Sequence, residues 1–286
     1  MIFPISWTRR AKQRHTYGGR IQEGKLARMK VWQKSFAVSA VLSAALPVLV
    51  NLYSCAAIPE GAVPIRDIVS FCIGDATNDG ALELLVISGG GENDAGERCG
   101  EFLLVCNASA HADMEKLGYI PPEKINYRID LAAINPMKVQ LGDVNGDGVN
   151  EVAICAYKTA QFHPVMAKRP FFFDLVEGNL IPVWLGSRLS RPFDDYILYD
   201  IDGDDTDEII SVERLENDDR VVAAYKWRGF GFEMLAQSEA YGGELRFDIN
   251  AAGQTEGTRE VGVIFYSSGE HAELNFRLYD GNLISG

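Results

Sequence analysis

The chain has 286 residues, a hydrophobic content of 47% and a net charge of −13, so it has enough apolar material for a core and is not a disordered chain. The charge is uneven, because residues 1–54 hold nine Lys or Arg and one acid, whereas the remaining residues hold 18 bases and 39 acids. A body this acidic repels phosphate backbones, which argues against a nucleic-acid partner and suits the binding of cations.

The first predicted element is a targeting segment at residues 1–54. No charged residue lies between Lys34 and Glu60, and basic residues precede this run, a pattern typical of a signal peptide or a membrane anchor. The sequence "LYSC" at residues 52–55 resembles the lipobox of bacterial lipoproteins, in which the cysteine, here Cys55, is lipidated and begins the mature chain. A cleaved secretory signal and an uncleaved anchor are the alternatives. All three predict a protein exported to the bacterial membrane or cell surface.

Residues 1–28 fit either a long basic n-region or an over-extended start before Met29, whose own sequence resembles the beginning of a signal. Residues 55–64 are predicted to be a linker. We therefore place the folded domain at residues 65–286.

An internal repeat fills this domain. Four aspartates, Asp75, Asp143, Asp200 and Asp248, are separated by 68, 57 and 48 residues, and each lies between two strand-like apolar runs. Two further strand-like runs complete each unit, and in the first unit they are expected within residues 101–120, with a short helical turn around residues 112–117. Four strands per repeat of this length are typical of a β-propeller blade. The sequence thus predicts an all-β, propeller-like array of about four four-stranded blades.

The loop after the first strand of each unit is rich in oxygen ligands. In "GDVNGDGVNEVAI", residues 142–154, side-chain oxygens at loop positions 1, 3 and 5, a carbonyl at position 7 and a carboxylate at position 9 can converge on one ion. Glycine at position 6 permits the positive φ of the turn, and such a donor set favours Ca²⁺ over Mg²⁺. The predicted ligands are Asp75, Thr77, Asp79 and Glu83 in the first loop, Asp143, Asn145, Asp147, Val149 and Glu151 in the second, and Asp200, Asp202, Asp204, Thr206 and Glu208 in the third.

The loops are not equivalent in sequence. Thr77 offers a neutral oxygen in the first loop, which predicts weaker binding there. Asp205 stands at position 6 of the third loop, and Asp tolerates the left-handed conformation better than most residues. The fourth loop keeps Asp248 and Asn250 but has Ala252 at position 5, so we expect no ion in it. Solvated acidic turns without an ion are the alternative for the first three loops.

These three loops resemble the FG-GAP or VCBS-type repeats of integrin-like β-propellers, which carry D-x-[DN]-x-[DN]-G-x-x-[DE] between the first two strands of a blade. The resemblance covers nearly all of the chain after residue 65 and implies a calcium-stapled propeller outside the cell. EF-hand and dockerin loops begin in the same way, but they need flanking helices and an acid at position 12. Position 12 here is Val86, Ile154 or Ser211, in strand-like runs.

The rest of the sequence contains no zinc-like Cys/His spacing and no hydrolase or phosphate-binding motif. Cys72, Cys106 and Cys155 are predicted to be buried, and a Cys99–Cys106 disulfide is left open. Basic and aromatic residues concentrate on a connection between strands and could form an anionic-ligand or glycan surface, with a solvated charged loop as the alternative. Those residues are His163, Lys168, Arg169, Trp184, Arg188 and Arg191.

The sequence therefore predicts an exported, non-catalytic surface module that binds or scaffolds a protein or glycan with bound Ca²⁺. A carbohydrate-active or other hydrolytic protein on the same scaffold is the alternative function.

Overall fold

The computed structural model describes residues 58–186, 188–248 and 259–286, so the targeting segment, Cys55, Asn250 and Ala252 lie outside the described residues. The described chain is all-β, as predicted, with eighteen strands and one α-helix. Within these ranges, no helix combines the length and apolarity needed to cross a membrane.

Sixteen of the strands form four antiparallel sheets of four strands each. The first sheet contains β2 (Ile68–Gly74), β3 (Glu83–Ser88), β4 (Phe102–Asn107) and β6 (Ile125–Asp130). The second contains β7 (Pro136–Gly142), β8 (Glu151–Ala160), β9 (His163–Val176) and β10 (Asn179–Leu185). The third contains β11 (Phe193–Tyr199), β12 (Glu208–Arg214), β13 (Arg220–Trp227) and β14 (Phe232–Gln237). The fourth contains β15 (Glu244–Phe247), β16 (Val261–Ser267), β17 (Glu270–Tyr279) and β18 (Asn282–Ser285).

Every sheet is a meander, in which each strand pairs with the strand before it in that sheet. The inner strands read as continuous apolar runs rather than alternating ones, and all six residues of β3 are buried. Continuous burial requires a partner on both faces of the strand. The sheets must therefore pack face to face.

Three apolar clusters join consecutive sheets. Leu85 and Ile154 belong to the cluster between the first and second sheets, Phe172 and Ile209 to that between the second and third, and Val222 and Phe276 to that between the third and fourth. The core therefore runs through the stack in chain order.

The outer face of the first sheet is covered by a different kind of element. Helix α1 (Ala110–Leu117) and a small two-stranded sheet of β1 (Val63–Pro64) and β5 (Tyr119–Ile120) lie over it, and Met114 is fully buried against Leu104 and its neighbours. Gly118 ends α1 at φ 79°, and its N–H donates to the Met114 carbonyl at 3.0 Å. The array is thus closed on this side by a helix.

The first unit differs from the sequence expectation. Residues 101–120 were expected to hold both of the last two strands, but only β4 of that sheet lies there. The helix and β5 are inserted, and the fourth strand, β6, begins at Ile125. Cys72, Cys99, Cys106 and Cys155 are all buried free thiols, so the Cys99–Cys106 disulfide is not formed.

Candidate functional site

The three acidic loops lie at equivalent places in three successive sheets. Each joins the first strand to the second, at residues 75–82, 143–150 and 200–207. The last residue of the first strand pairs with the position-9 glutamate in each case, as in the pair Gly142 and Glu151. The equivalent pairs are Gly74 with Glu83 and Tyr199 with Glu208.

The position-1 aspartate closes each loop by accepting two backbone hydrogen bonds. In the second loop, Asp143 accepts from the N–H groups of Gly146 and Gly148 at 2.8 and 2.9 Å. Asp200 accepts from Gly203 and Asp205 in the same pattern. Asp75 accepts from Asp79 and Gly80, both at 3.1 Å.

The position-5 aspartate also binds the backbone of its own loop. Asp147 accepts a hydrogen bond from the Val149 N–H at 2.9 Å, and Asp204 accepts one from the Thr206 N–H at 3.1 Å. Asp79 does the same for Ala81 at 2.8 Å. The predicted position-5 and position-7 residues therefore lie together at the tip of each loop.

Positive φ recurs at two positions of each loop. Position 6 has φ values of 90°, 92° and 68°. The last of these belongs to Asp205, a residue type that tolerates the left-handed conformation, as the sequence analysis noted. Position 4 is also left-handed, which the sequence analysis missed. Its residues are Asn78, Gly146 and Gly203, the types that adopt this conformation most readily.

The position-9 glutamate is buried at the base of each loop. Glu151 and Glu208 are fully buried, and Glu83 is 7% exposed. Each accepts a hydrogen bond from the N–H of position 2, and the Val144 N–H lies 2.9 Å from Glu151 Oε2. The pKa of Glu151 is raised to about 7, mainly by burial and also by the nearby carboxylates of Asp143, Asp147 and Asp174. A buried acid among other acids is the environment in which a cation is favourable.

Position 8 of a loop hydrogen-bonds to position 1 of the loop before it. Asn150 Nδ2 donates to the Asp75 carbonyl at 2.9 Å. Asp207 donates its N–H to the Asp143 carbonyl at 2.8 Å and accepts the Asp143 N–H at 3.0 Å through Oδ2. The three loops therefore form one continuous hydrogen-bonded row.

A residue of the third strand lies beside each position-9 glutamate, and its charge differs from loop to loop. Glu83 pairs with Asn107. Asp174 follows Phe173, the partner of Val152, and Lys226 follows Tyr225, the partner of Ile209. This position is neutral in the first loop, acidic in the second and basic in the third.

The sequence analysis missed Asp174 and Lys226 as members of the site. Both lie outside the loop motif. They occupy the same position when the third strands of the four units are aligned, and such an alignment could have identified them from the sequence.

The fourth unit lacks this arrangement in its described part. Asp248 pairs through its N–H with the Gly262 carbonyl at 2.9 Å, which continues the ladder between β15 and β16. The expectation that this loop holds no ion concerns residues 249–258, which the structure does not describe.

The predicted basic and aromatic surface divides into separate environments. Arg169 is fully buried and therefore does not belong to a surface; it donates to three carbonyls, including that of Lys158 at 2.7 Å, and contacts His163 Nδ1. Lys168 pairs with Glu97 at 2.7 Å and Arg191 with Glu213 at 3.0 Å.

Trp184 and Arg188 line a cleft between the second and third sheets. The cleft has a volume of about 300 Å³. The rings of Trp184 and Phe232 are 5.0 Å apart at their centroids. The lining residues are Trp184, Arg188, Leu189, Ser190, Tyr225, Phe232 and Met234.

No family model and no curated protein matches the chain. Among solved structures, the chain is similar to a Xanthomonas protein related to the type IV secretion system, with 12% sequence identity over 82% of this chain and 85% of that one, and a TM-score of 0.24. A similarity this weak does not establish a shared fold.

Proposed function

We propose that this protein is an exported, β-propeller-like module of the FG-GAP/VCBS class, stapled by Ca²⁺ in its second and first acidic loops, that acts as a surface binding or scaffold module for a protein or glycan. The observation that carries the proposal is the repetition of one loop geometry at one place in three successive sheets. By its sequence alone, each single loop is only a weak match to the FG-GAP/VCBS motif.

The second loop has the side-chain chemistry that best suits a hard divalent cation, whereas among the described residues the carboxylates that lie within 4.8 Å of one another are Asp200, Asp202 and Glu208 of the third loop. Its donors are the carboxylates of Asp143, Asp147 and Glu151 and the amide of Asn145, with Asp174 beside them, and they are oxygen ligands of the kind that Ca²⁺ prefers. Ionised Glu151 is disfavoured by burial and by its acidic neighbours, and a bound cation would remove that penalty. The first loop has the hydroxyl of Thr77 in the place of the Asn145 amide and the neutral Asn107 in the place of the acidic Asp174, so we expect weaker binding there.

Thermal unfolding in calcium and in chelator tests the proposal. The wild-type protein is expected to melt several degrees higher in millimolar Ca²⁺ than in chelator, because a ligand that binds only the folded state stabilises it. Asp143→Asn is expected to lose most of that difference, because position 1 of the motif admits only Asp, whereas position 5 also admits Asn. Asp94→Asn makes the same charge change at an exposed site outside the loops and is expected to retain it. A wild-type melting temperature indifferent to both calcium and chelator contradicts the proposal.

The export and anchoring part of the proposal is supported by the apolar run and by Cys55. Expression of the full chain in a bacterial host with a radiolabelled fatty acid is expected to label the wild-type protein and not Cys55→Ala. Labelling of neither protein, with the chain recovered in the soluble exported fraction, would indicate a cleaved secretory signal instead.

The cleft beside Trp184 is the proposed ligand surface. Its aromatic rings, of which Trp184 and Phe232 meet edge to face, offer apolar surface for a sugar ring or an aromatic side chain. The exposed Arg188 adds a positive charge to a body that is otherwise acidic. Titration with neutral and uronic-acid oligosaccharides, followed by tryptophan fluorescence, is expected to show binding that Trp184→Ala removes. Release of new reducing ends during the titration would support the hydrolytic alternative.

A further inference from the structure

We infer that the third acidic loop carries its own cation, and that the ammonium group of Lys226 takes the place of a metal ion there. The inference rests on the proposed function only where it contrasts the third loop with the first two loops, which are proposed to bind Ca²⁺. In the third loop, the Lys226 ammonium stands in place of the calcium ion that the sequence predicts there.

The ammonium group lies among the carboxylates predicted to bind the ion. Lys226 Nζ is 2.5 Å from Asp202 Oδ2, 2.8 Å from Glu208 Oε1 and 2.9 Å from Asp204 Oδ2. These acids occupy positions 3, 9 and 5 of the loop. The Lys226 side chain is only 13% exposed and that of Glu208 is fully buried, so this contact is shielded from water, whereas the Asp204 side chain is 51% exposed.

The convergence of the loop fits this interpretation. Carboxylate oxygens of Asp200, Asp202 and Glu208 all lie within 4.8 Å of one another, close enough to share a metal ion, and Lys226 already contacts two of these three acids. An array of acids this close would repel itself strongly in a half-buried environment. The Lys226 ammonium is positioned to cancel that repulsion.

Asp200, the fourth carboxylate predicted as a ligand in this loop, faces a second cation. The guanidinium of Arg259, which precedes β16 in the fourth sheet, lies 3.9 Å from Asp200 Oδ2. It also packs so closely over Gly203 that a methyl group added there would overlap it. The four carboxylates predicted as ligands in the third loop therefore meet two positive side chains from elsewhere in the chain.

A divalent ion would have to displace a cation that is covalently part of the protein. A tethered group competes at a high effective concentration, and an ion bound beside a retained ammonium would be repelled by it. At the equivalent third-strand position, the second loop has Asp174, which adds negative charge instead. The second loop is therefore suited to a bound metal ion, whereas the carboxylates of the third loop are neutralised by Lys226 without one.

The test compares Lys226→Met, which keeps the apolar stem but removes the charge, with Lys226→Arg and with Lys138→Met. Lys138 is the matched control because it pairs with one carboxylate, Asp195 at 2.8 Å, outside the acidic loops. In chelator, Lys226→Met is expected to melt about 5 °C or more below wild type, and millimolar Ca²⁺ should recover most of that loss. Calorimetric titration is expected to show one more bound Ca²⁺ per molecule in Lys226→Met than in wild type. Lys226→Arg and Lys138→Met should bind as many ions as wild type.

The two proposals fail in different ways. If the melting temperature of the wild-type protein does not change with calcium, the proposed calcium-bound module is contradicted. The present inference is then decided by the melting temperatures of Lys226→Met and wild type in chelator. A Lys226→Met protein as stable as wild type in chelator, or a wild-type protein that binds an ion at Asp202 and Glu208, overturns the inference. If Lys226→Met does not fold, the triple change Lys226→Met, Asp202→Asn and Glu208→Gln should restore folding. Failure of that restoration also overturns the inference.

Discussion

At the scale of single residues, the loops share a backbone but differ in the charge brought to them. The loop aspartates could be identified from the sequence because they follow a fixed local spacing. Asp174 and Lys226 could not be assigned in the same way, since each reaches its loop from another strand and only the pairing register places it there. Local patterns therefore predicted which side chains gather in each acidic loop, whereas the charges brought to the loops from other strands depended on tertiary structure.

Two buried tyrosines of one apolar cluster, Tyr196 and Tyr225, are expected to respond oppositely to loss of their hydroxyl groups. Among the described residues, the Tyr196 hydroxyl has no hydrogen-bond partner and no exposure, so Tyr196→Phe should stabilise the protein by about 1 kcal/mol. The Tyr225 hydroxyl donates to Glu213 at 2.6 Å, so Tyr225→Phe should cost about 1–2 kcal/mol. Urea unfolding of the three proteins measures both values. A destabilised Tyr196→Phe would mean that its hydroxyl is bonded.

Glu151 gives a pH dependence with a definite sign. Burial raises its pKa from 4.5 to about 7 in the folded protein, so between these values the folded state holds a proton that the unfolded state releases. The free energy of unfolding in chelator therefore falls as the pH rises through this window, by up to roughly 3 kcal/mol from this group. The stability difference between wild type and Glu151→Gln, from urea unfolding at about pH 5 and about pH 8, isolates the effect. Parallel stability curves for the two proteins would contradict it.

At the scale of elements, the repeated unit was predictable because its strands and turns are local. The apolar runs on both sides of each loop became the first two strands of each sheet, and the two further strand-like runs became the last two strands in the second, third and fourth sheets. The first unit was not predictable in this way. Its hairpin connection contains α1 and β5, whose burial over the first sheet is a tertiary event.

The loop backbone itself can be tested at Gly148. Its φ is 92°, and an added Cβ would meet no atom within 4 Å, so Gly148→Ala should cost about 1 kcal/mol from backbone strain alone. Gly148→Asn should cost less, because Asp205 already adopts φ 68° at this position of the third loop. Gly91→Ala is the control, since Gly91 also has open space but no positive φ. Equal urea midpoints for the three variants would contradict the strain argument.

At the scale of the whole molecule, the four sheets form a stack with two different ends. The first sheet is capped by α1, and the fourth sheet presents exposed polar residues such as Arg246, Glu273 and Arg277 on its outer face. Terminal units of stacked arrays need a polar or covered outer face to remain soluble. Each end therefore has its own means of terminating the apolar core.

The cap can be tested by shortening Met114, which is fully buried against the first sheet. Met114→Ala should lower the free energy of unfolding by about 2–4 kcal/mol, because it leaves a cavity between α1 and the sheet. Lys116→Ala, an exposed change in the same helix, should have little effect. A cost for Met114→Ala no larger than for Lys116→Ala would show that the cap contributes little to the stack.

The hydrogen bonds between successive loops give the third loop an influence beyond its own sheet. Asp207 belongs to the loop that Lys226 fixes, yet it holds both the N–H and the carbonyl of Asp143 at the entrance of the second loop. A loop ordered without any ion in this way preorganises its neighbour, which lowers the conformational entropy that the neighbour must lose when a ligand arrives. A change that disorders the third loop should therefore weaken the affinity of the second loop for its ion, although no residue of the third loop contacts that ion.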